Sequence, residues 1–225
     1  MKQPKACIIG GTGFVGQHLV RHLGKAGWQS IVPSRRPHRH RELRLVQGVT
    51  LREVQRLDQA TLRNCFAGCD CVINLVGILN EEGKTTFQQV HVELVRTLIA
   101  AAQETGVPRL LHMSALNADA QQGGSAYLRS KGMGEDLAHE AEDLAVTSFR
   151  PSVIFGRGDS LFNRFASLLD LAPGVFPLAC PDARFAPVWV GDVVEAMARA
   201  LSDPDSIGHR YDLCGPRIFT LEELV

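Results

Sequence analysis

The stretch CIIGGTGFVG at residues 7–16 decides how this chain folds. Its apolar run ends at Gly10, and a segment with helical periodicity begins at Phe14. Glycine recurs every third residue, at Gly10, Gly13 and Gly16. In this spacing the first glycine permits a tight turn, the second lets a pyrophosphate approach the backbone, and the third lets a helix pack close to a strand. We therefore predict a strand, a phosphate-binding turn and a helix whose N-terminus faces an anion.

Apolar runs and segments of helical period alternate from this turn to about residue 150. Such alternation is typical of β-α units around a parallel sheet, so we predict an α/β fold with a doubly wound parallel sheet, the Rossmann fold, over residues 1–150. The predicted strands are Ala6–Gly10, Gln29–Pro33, Leu51–Gln55, Cys71–Val76, Leu110–Met113 and Val146–Arg150. The predicted helices lie near Phe14–Ala26, Arg39–Val46, Gln59–Phe66, Phe87–Thr105 and Ala126–Glu142.

Residues 151–225 have a different character. Proline and glycine recur there between short apolar segments, which indicates a small irregular C-terminal lobe on the substrate side. Thr220 and Glu223 have the spacing of a capping box, which predicts a helix that begins just before Val225. Because so short a helix is marginal on its own, we expect the natural chain to continue beyond Val225.

The composition excludes several classes of protein. Hydrophobic residues make up 45% of the 225 residues and charged residues 21%, which is ordinary for a globular protein and unlike a disordered one. No apolar run reaches the length of a membrane span, and the N-terminus lacks the pattern of a signal peptide, so we expect a cytoplasmic protein. None of the six cysteines forms a C-x-x-C pair, so we predict no metal site.

The charge is zero overall but is divided unevenly along the chain. Residues 1–112 carry 15 basic and 8 acidic side chains, a net charge of +7, and residues 113–225 carry the compensating −7. A basic N-terminal half suits an anionic cofactor. The overall balance gives no reason to expect a nucleic-acid partner.

The second predicted strand indicates which dinucleotide the turn binds. Folds of this type that prefer NAD(H) tend to end that strand with an acidic residue, which binds the ribose hydroxyls. Here the strand ends in VPSRR, residues 32–36, without a carboxylate. Ser34, Arg35 and Arg36 fit a 2′-phosphate instead, so we predict NADP(H), with NAD(H) less favoured. The alternative is a solvated basic loop, because Arg39 and further arginines follow closely.

Tyr127 and Lys131 are the clearest candidates for catalytic chemistry. Residues four apart share one face of a helix, so both side chains are expected to point into one cleft. An ammonium group beside a phenol stabilises the phenolate and lowers its pKa, which makes Tyr127 a candidate general acid or base. The alternative is a surface tyrosine and lysine at a coincidental spacing.

Three motifs together resemble the short-chain dehydrogenase/reductase superfamily: the glycine turn, NLVG at residues 74–77 and YLRSK at residues 127–131. Softer similarities, among them RPSVIFG at residues 150–156 and VGDV at residues 190–193, resemble its atypical extended branch. That branch contains the NADPH-binding accessory subunit of respiratory complex I and bacterial relatives similar to NAD-dependent epimerases and dehydratases. The resemblance covers nearly the whole chain.

The resemblance implies a role for residues along the predicted cleft. The pyrophosphate would be held by residues of the glycine turn: Gly10, Thr12, Gly13, Phe14, Val15 and Gly16. The adenosine-ribose side would be lined by Asn74, Leu75, Val76 and Gly77. The nicotinamide would be flanked by Pro151 to Val153, and its ribose would meet Tyr127 and Lys131.

Two positions depart from the pattern of active superfamily members. Those members place a serine or threonine after the fifth strand to orient the substrate carbonyl, commonly just after a structural serine. Here Ser114 is a candidate catalytic residue, but by position it matches the structural serine, and Ala115 stands in the catalytic place. His91 stands where extended members carry asparagine, and is either a proton relay or, as we favour, a packed polar residue.

These features favour an NADP(H)-dependent oxidoreductase of the extended type, in which Tyr127 exchanges a proton with a small-molecule substrate. Two alternatives stay open. The first is a cofactor-bound, non-catalytic accessory or sensor protein in a protein complex, and the second is a nucleotide-sugar epimerase or dehydratase. Five aromatic residues of the C-terminal part could line an apolar substrate pocket: Phe162, Phe165, Phe176, Phe185 and Trp189. The alternative is that they belong to the hydrophobic core.

Overall fold

The strands of this chain form one large sheet and two small ones in a computed structural model that describes residues 2–159 and 178–225. The large sheet holds β1 to β6 and β10: Lys5–Ile9, Gln29–Ser34, Val49–Glu53, Cys71–Asn74, Arg109–Met113, Ala145–Pro151 and Arg210–Leu213. The small sheets pair β7 with β9 and β8 with β11: Ile154–Phe155, Val188–Trp189, Arg184–Phe185 and Phe219–Thr220.

All strands of the large sheet run parallel, in the order β10-β6-β5-β4-β1-β2-β3. The order changes direction between β1 and β4, and ligands of such sheets bind outside the carboxyl ends at that point. The predicted doubly wound parallel sheet is therefore confirmed, and each of the six predicted strands is present. The fourth ends at Asn74 rather than Val76, because the Val76 N–H leaves the ladder and donates to Asn74 Oδ1 at 3.2 Å.

Helices cover both faces of the sheet. Within residues 2–159 and 178–225 they are α1 to α6, with ranges Phe14–Lys25, Gln59–Phe66, Leu94–Thr105, Ala126–His139, Val190–Ser202 and Leu221–Leu224. A π-helical turn at Gln88–Glu93 leads into α3. The prediction of an α-helix near Arg39–Val46 is wrong, since Pro37–Leu45 forms a 3₁₀ helix that is interrupted at His40. Only two residues of that segment are buried, too few for an apolar stripe.

The core consists of two layers, one on each face of the sheet. On one face α1 and α5 pack through residues such as Leu19, Leu23 and Met197. On the other face α2 and α3 pack through residues such as Phe66 and Leu98. This arrangement of helices on both faces of a parallel sheet buries strands on both sides, as the apolar strand sequences require.

The large sheet extends past residue 150. Helix α5 packs beside α1, and β10 pairs with β6 along Arg210–Leu213. Residues 190–213 therefore complete the sheet layer rather than the small lobe. The predicted capping box is present, because Thr220 Oγ1 accepts from the Glu223 N–H and the Glu223 carboxylate accepts from the Thr220 N–H.

A buried arginine joins the segment of residues 190–213 to the large sheet by hydrogen bonds. Arg109, at the start of β5, donates to the carbonyl oxygen of Ala145 at 2.8 Å and to Thr147 Oγ1 at 2.6 Å on β6. It also donates to the carbonyl oxygen of Ala200 near the end of α5 at 3.1 Å and to Ser206 Oγ at 2.9 Å. One guanidinium group thus joins two strands, a helix and the turn that precedes β10.

Replacing Arg109 with methionine should lower the free energy of unfolding by about 2–4 kcal/mol, because several buried acceptors lose their donor at once. Urea unfolding at equilibrium measures the change. The matched control is Arg199→Met, since the Arg199 side chain is 77% exposed and its ion pair in the described part of the chain is with Glu195 on the same helix. We expect the control to change stability by less than about 0.5 kcal/mol, and equal losses in both variants would contradict the role given to Arg109.

Candidate active site

The glycine turn is held by close contacts between β1, α1 and the loop after β4. Gly10 has a φ of 84°, a left-handed conformation that favours glycine, and its Cα faces the backbone of Leu75. A side chain on Gly16 would overlap the carbonyl oxygen of Gly10, so only glycine allows α1 to start this close to β1. No side chain caps α1 at Gly13, which leaves the N–H groups of its first turn for an anion. The turn fits a pyrophosphate.

Two clefts open on either side of this turn, and Gly10 and Ile78 line both. The first, which we name the arginine cleft, has a volume of about 910 Å³. The second, which we name the tyrosine cleft, has a volume of about 770 Å³. Both lie at the carboxyl ends of the strands near the change in strand order. Together they offer one long groove that the glycine turn crosses at its middle.

The arginine cleft contains the residues that the sequence predicted for a 2′-phosphate. Ser34, Arg35 and Arg36 line it, and the Arg36 N–H donates to Ser34 Oγ at 3.3 Å. Sequence reasoning missed Arg56, which lines the same cleft from the loop after β3, and left Arg39 in a solvated loop. The signal for Arg56 was present, because it follows a predicted strand just as Arg35 does.

The predicted NLVG segment divides between the two clefts. Val76 lines the arginine cleft, whereas Leu75 and Gly77 line the tyrosine cleft. Asn74 is buried and lines neither cleft, since its amide faces His112 Nδ1 at 3.3 Å and its Oδ1 accepts from the Val76 N–H. Asn74 therefore shapes the loop, and its neighbours face the groove.

The tyrosine cleft brings together predicted residues from five parts of the chain, among them Leu75 and Gly77 after β4. It is lined by Tyr127 and Lys131 of α4, Ser114 after β5, and Pro151 and Val153 at the end of β6. Residues of the glycine turn complete it: Gly10, Gly13, Phe14, Val15 and Gly16. Thr12 lines the arginine cleft instead.

Lys131 is buried, and its ammonium donates to the carbonyl oxygen of Met113 at 2.5 Å. Burial lowers the pKa of Lys131 to about 8, and the Glu135 carboxylate acts in the opposite direction. A side chain on Gly77 would reach within 3.7 Å of the Lys131 Nζ, so the ammonium lies directly behind the loop after β4. The lysine is placed to hold a polar group in the cleft as well as a protein carbonyl.

Tyr127 lies against two aromatic rings. Its ring meets His91 and Phe87 edge to face, with centroids 5.5 and 5.9 Å apart. Burial raises the pKa of Tyr127, which is opposite in direction to the lowering that we expected from Lys131. The expectation was wrong because the ammonium turns toward Met113 and the phenol loses water. At neutral pH the phenol is protonated, the form that a general acid needs.

Ser114 carries a buried hydroxyl whose Oγ has no hydrogen-bond partner among the described residues. Its backbone N–H donates to the carbonyl oxygen of Phe149 at 2.7 Å, which fixes the residue at the floor of the tyrosine cleft. A buried hydroxyl without a partner is costly, so this one is available to a ligand. Ala115 follows it in the lining and offers only a methyl group.

His91 is a packed polar residue whose hydrogen bonds define its tautomer. The Ile78 N–H donates to Nε2 at 3.1 Å, so Nε2 is unprotonated and Nδ1–H donates to Ser130 Oγ at 2.8 Å. Burial, with help from the Lys131 charge, lowers the pKa of His91 to about 4. Both ring nitrogens are engaged by protein groups, which supports the packed interpretation over a proton relay.

The aromatic residues predicted for an apolar pocket divide into three groups. Phe185 lines the tyrosine cleft, and Trp189 is 53% exposed outside both clefts. Phe162, Phe165 and Phe176 lie outside the described residues. The described part of the chain contains no group of His, Cys, Asp or Glu that would hold a metal ion, and no helix there is long and apolar enough to cross a membrane.

Comparison with known proteins gives relatives along nearly the whole chain. The mitochondrial NADH dehydrogenase (ubiquinone) 1 alpha subcomplex subunit 9 of Mus musculus is 35% identical, over 98% of this chain and 59% of the relative. The ceramide reductase of Caulobacter vibrioides is 30% identical, over 88% of this chain and 61% of that protein. The chain therefore spans about three-fifths of the length of these relatives.

Among solved structures, DesIV, a dTDP-glucose 4,6-dehydratase from Streptomyces venezuelae with NAD and DAU bound, is similar with a TM-score of 0.81. The match covers 100% of this chain and 79% of that one, and at 22% identity it shows the fold alone. The model of the NAD dependent epimerase/dehydratase family matches residues 6–214. Both descriptions name NAD, so neither supports a preference for NADP(H). The chain belongs to the NAD-dependent epimerase/dehydratase family.

Proposed function

We propose that this protein is an NADP(H)-dependent oxidoreductase that acts on a carbonyl or hydroxyl group of a small-molecule substrate. One observation carries the proposal: Tyr127, Lys131 and the unpartnered hydroxyl of Ser114 line a single cleft that begins at the glycine turn. A proton donor, a buried cation and a free hydroxyl beside a dinucleotide site are the groups that carbonyl reduction needs.

The groove formed by the two clefts would hold the cofactor. The turn at Gly10–Gly16 holds the pyrophosphate against the N-terminus of α1. Arg35 and Arg36 hold the 2′-phosphate, with Arg39 and Arg56 adding positive charge to the same cleft. The guanidinium groups favour NADP(H), because a bidentate contact to a phosphate dianion is stronger than one to a neutral ribose hydroxyl.

Replacing Arg35 and Arg36 together with alanine should weaken NADPH binding by about 10- to 150-fold, which corresponds to one or two lost charge-assisted contacts. NADH binding should change less than about two-fold, since NADH lacks the 2′-phosphate. Fluorescence titration with both cofactors measures the two affinities. Arg44→Ala is the matched control, because Arg44 is exposed in the neighbouring 3₁₀ segment and lines neither cleft. Equal affinities of the unmodified protein for NADPH and NADH would contradict the proposed preference for NADP(H).

Each polar residue of the tyrosine cleft has a separate role in the proposed reaction. The nicotinamide supplies or accepts a hydride when the cofactor is bound. The Tyr127 phenol gives its proton to the substrate oxygen in the direction of reduction and takes it back in the direction of oxidation. Lys131 would hold the nicotinamide ribose and stabilise negative charge in the cleft. Ser114 Oγ donates to the substrate oxygen, in the place of the hydroxyl that Ala115 lacks.

Tyr127→Phe should abolish NADPH oxidation over a panel of carbonyl and quinone-like substrates while NADPH affinity stays nearly unchanged. A general acid contributes about 10²–10⁴-fold, which stopped-flow absorbance resolves. The chain offers a matched control in Tyr211→Phe, since Tyr211 is the other tyrosine and lies on β10 outside both clefts. Equal turnover by the Tyr127→Phe variant and the unmodified protein would remove Tyr127 from the mechanism.

A second candidate function is that of a cofactor-bound accessory subunit without turnover. It is favoured by the methyl group of Ala115 at the position after β5 and by the similarity to the mouse protein, which is named as a subunit of NADH dehydrogenase. If the unmodified protein retains NADPH through purification and oxidises it with no member of the panel, this function replaces the first. Epimerase chemistry on a nucleotide sugar is a third candidate, and the methyl group of Ala115 counts against it as it counts against turnover in general.

A further inference from the structure

Glu135 is a carboxylate with no exposure to solvent, one helical turn beyond Lys131 on α4. Tyr127, Lys131 and Glu135 follow one another at intervals of four residues, so they form a single row along the inner face of the helix. The first two line the tyrosine cleft, and the third lies behind them. No part of the reaction proposed above uses Glu135.

The carboxylate joins α4 to the end of β6. Arg150 Nε donates to both of its oxygens at 3.0 and 2.9 Å, and a terminal Arg150 nitrogen lies 2.7 Å from Oε2. Arg210 on β10 adds a longer contact of 3.9 Å. Arg150 directly precedes Pro151, where the chain enters the lining of the tyrosine cleft. The ion pair therefore links the helix that carries Tyr127 and Lys131 to the strand end that faces them.

Stability alone is a poor reason for this pair. Removing two charges from water costs several kcal/mol per ion, and apolar residues of similar volume often replace buried ion pairs without loss. A pair whose carboxylate is fully buried between two elements of one cleft is better explained by what it does for that cleft.

The charge on Lys131 depends on its neighbours, because the ammonium is buried. Its hydrogen-bond acceptor, the carbonyl oxygen of Met113, is neutral. The imidazoles of His91 and His112 face it from the π-helical turn and from β5, and burial keeps both neutral. Glu135 is the negative charge that acts on it. The charged or titratable groups around Glu135 itself are Arg150, Arg210, Asp136 and His139.

We propose that Glu135 is a positioning residue that fixes α4 against the Pro151–Val153 segment and places a negative charge one helical turn behind the Lys131 ammonium. The effect on cofactor binding rests on the function proposed above, whereas the effect on Lys131 itself does not. Without the carboxylate, the buried ammonium loses its only anionic neighbour among the described residues and gives up its proton more readily.

The direct test is an NMR titration of lysine labelled with ¹³C at Cε, in the cofactor-free protein, with the Lys131 signal assigned by its absence from Lys131→Arg. In the unmodified protein the Lys131 midpoint should lie near pH 8. In Glu135→Gln it should fall by about one pH unit. Asp136→Asn makes the same change of charge at the next residue, whose side chain is half-exposed, and should leave the midpoint unchanged. Glu135→Asp keeps the charge and should restore the midpoint.

NADPH affinity as a function of pH gives a second readout. Affinity should fall as pH rises through the Lys131 midpoint, because the ammonium that meets the ribose becomes a neutral amine. A midpoint lower by about one unit predicts an affinity loss of about five-fold at pH 8 in Glu135→Gln and almost none at pH 6. A purely structural role for Glu135 would weaken binding equally at every pH.

An unchanged Lys131 midpoint in folded Glu135→Gln would overturn the proposal, as would a loss of affinity that is independent of pH. If Glu135→Gln does not fold, the uncharged pair Glu135→Gln/Arg150→Gln takes its place and should also lower the midpoint, because Glu135 is the charge that acts on Lys131. If the unmodified protein binds no NADPH, the proposed function fails, and the NMR titration still decides the role of Glu135.

Discussion

The contact between α1 and β1 at the glycine turn is the constraint on which the site depends. A methyl group at Gly16 would overlap the carbonyl oxygen of Gly10, and Gly10 itself needs a left-handed φ. These two glycines set the distance between the first strand and its helix, and that distance sets the position of the uncapped N–H groups. Both clefts share this turn as their common wall. A shift of the helix by the width of a methyl group would change both at once.

The chemistry of the tyrosine cleft depends on desolvation more than on direct contact between its polar groups. Burial raises the pKa of Tyr127 and lowers that of Lys131, so the phenol holds its proton while the ammonium tends to lose one. His91 is kept neutral by the same cause and serves as a fixed bridge between Ile78 and Ser130. The cleft therefore contains one buried cation and one protonated phenol, and a neutral imidazole packs against the phenol, an arrangement set by packing.

The sequence predicts those parts of the fold that rest on local periodicity, and misses those that rest on distant pairing. The six strands before residue 152 alternate with helical segments, so each is recognisable alone. Strand β10 is short and mostly exposed, and only its pairing with β6 makes it a strand. The glycine turn and the Tyr127–Lys131 spacing are local signals. The pKa of Tyr127 and the tautomer of His91 depend on neighbours that periodicity cannot reveal.

The last strand of the sheet comes from a part of the chain about sixty residues beyond its partner, which has a consequence for folding. The pairing of β4 with β1 spans a similar distance, since Ala6 pairs with Cys71. The other pairings among β1 to β6 join strands closer in sequence and can form as the chain emerges. Strand β10 must wait until the intervening segment has been made, and its arrival closes a long loop at an entropic cost. That loop contains residues that line the tyrosine cleft, such as Val153 and Phe185. The residues of that loop that line the cleft are therefore placed by the same event that completes the sheet.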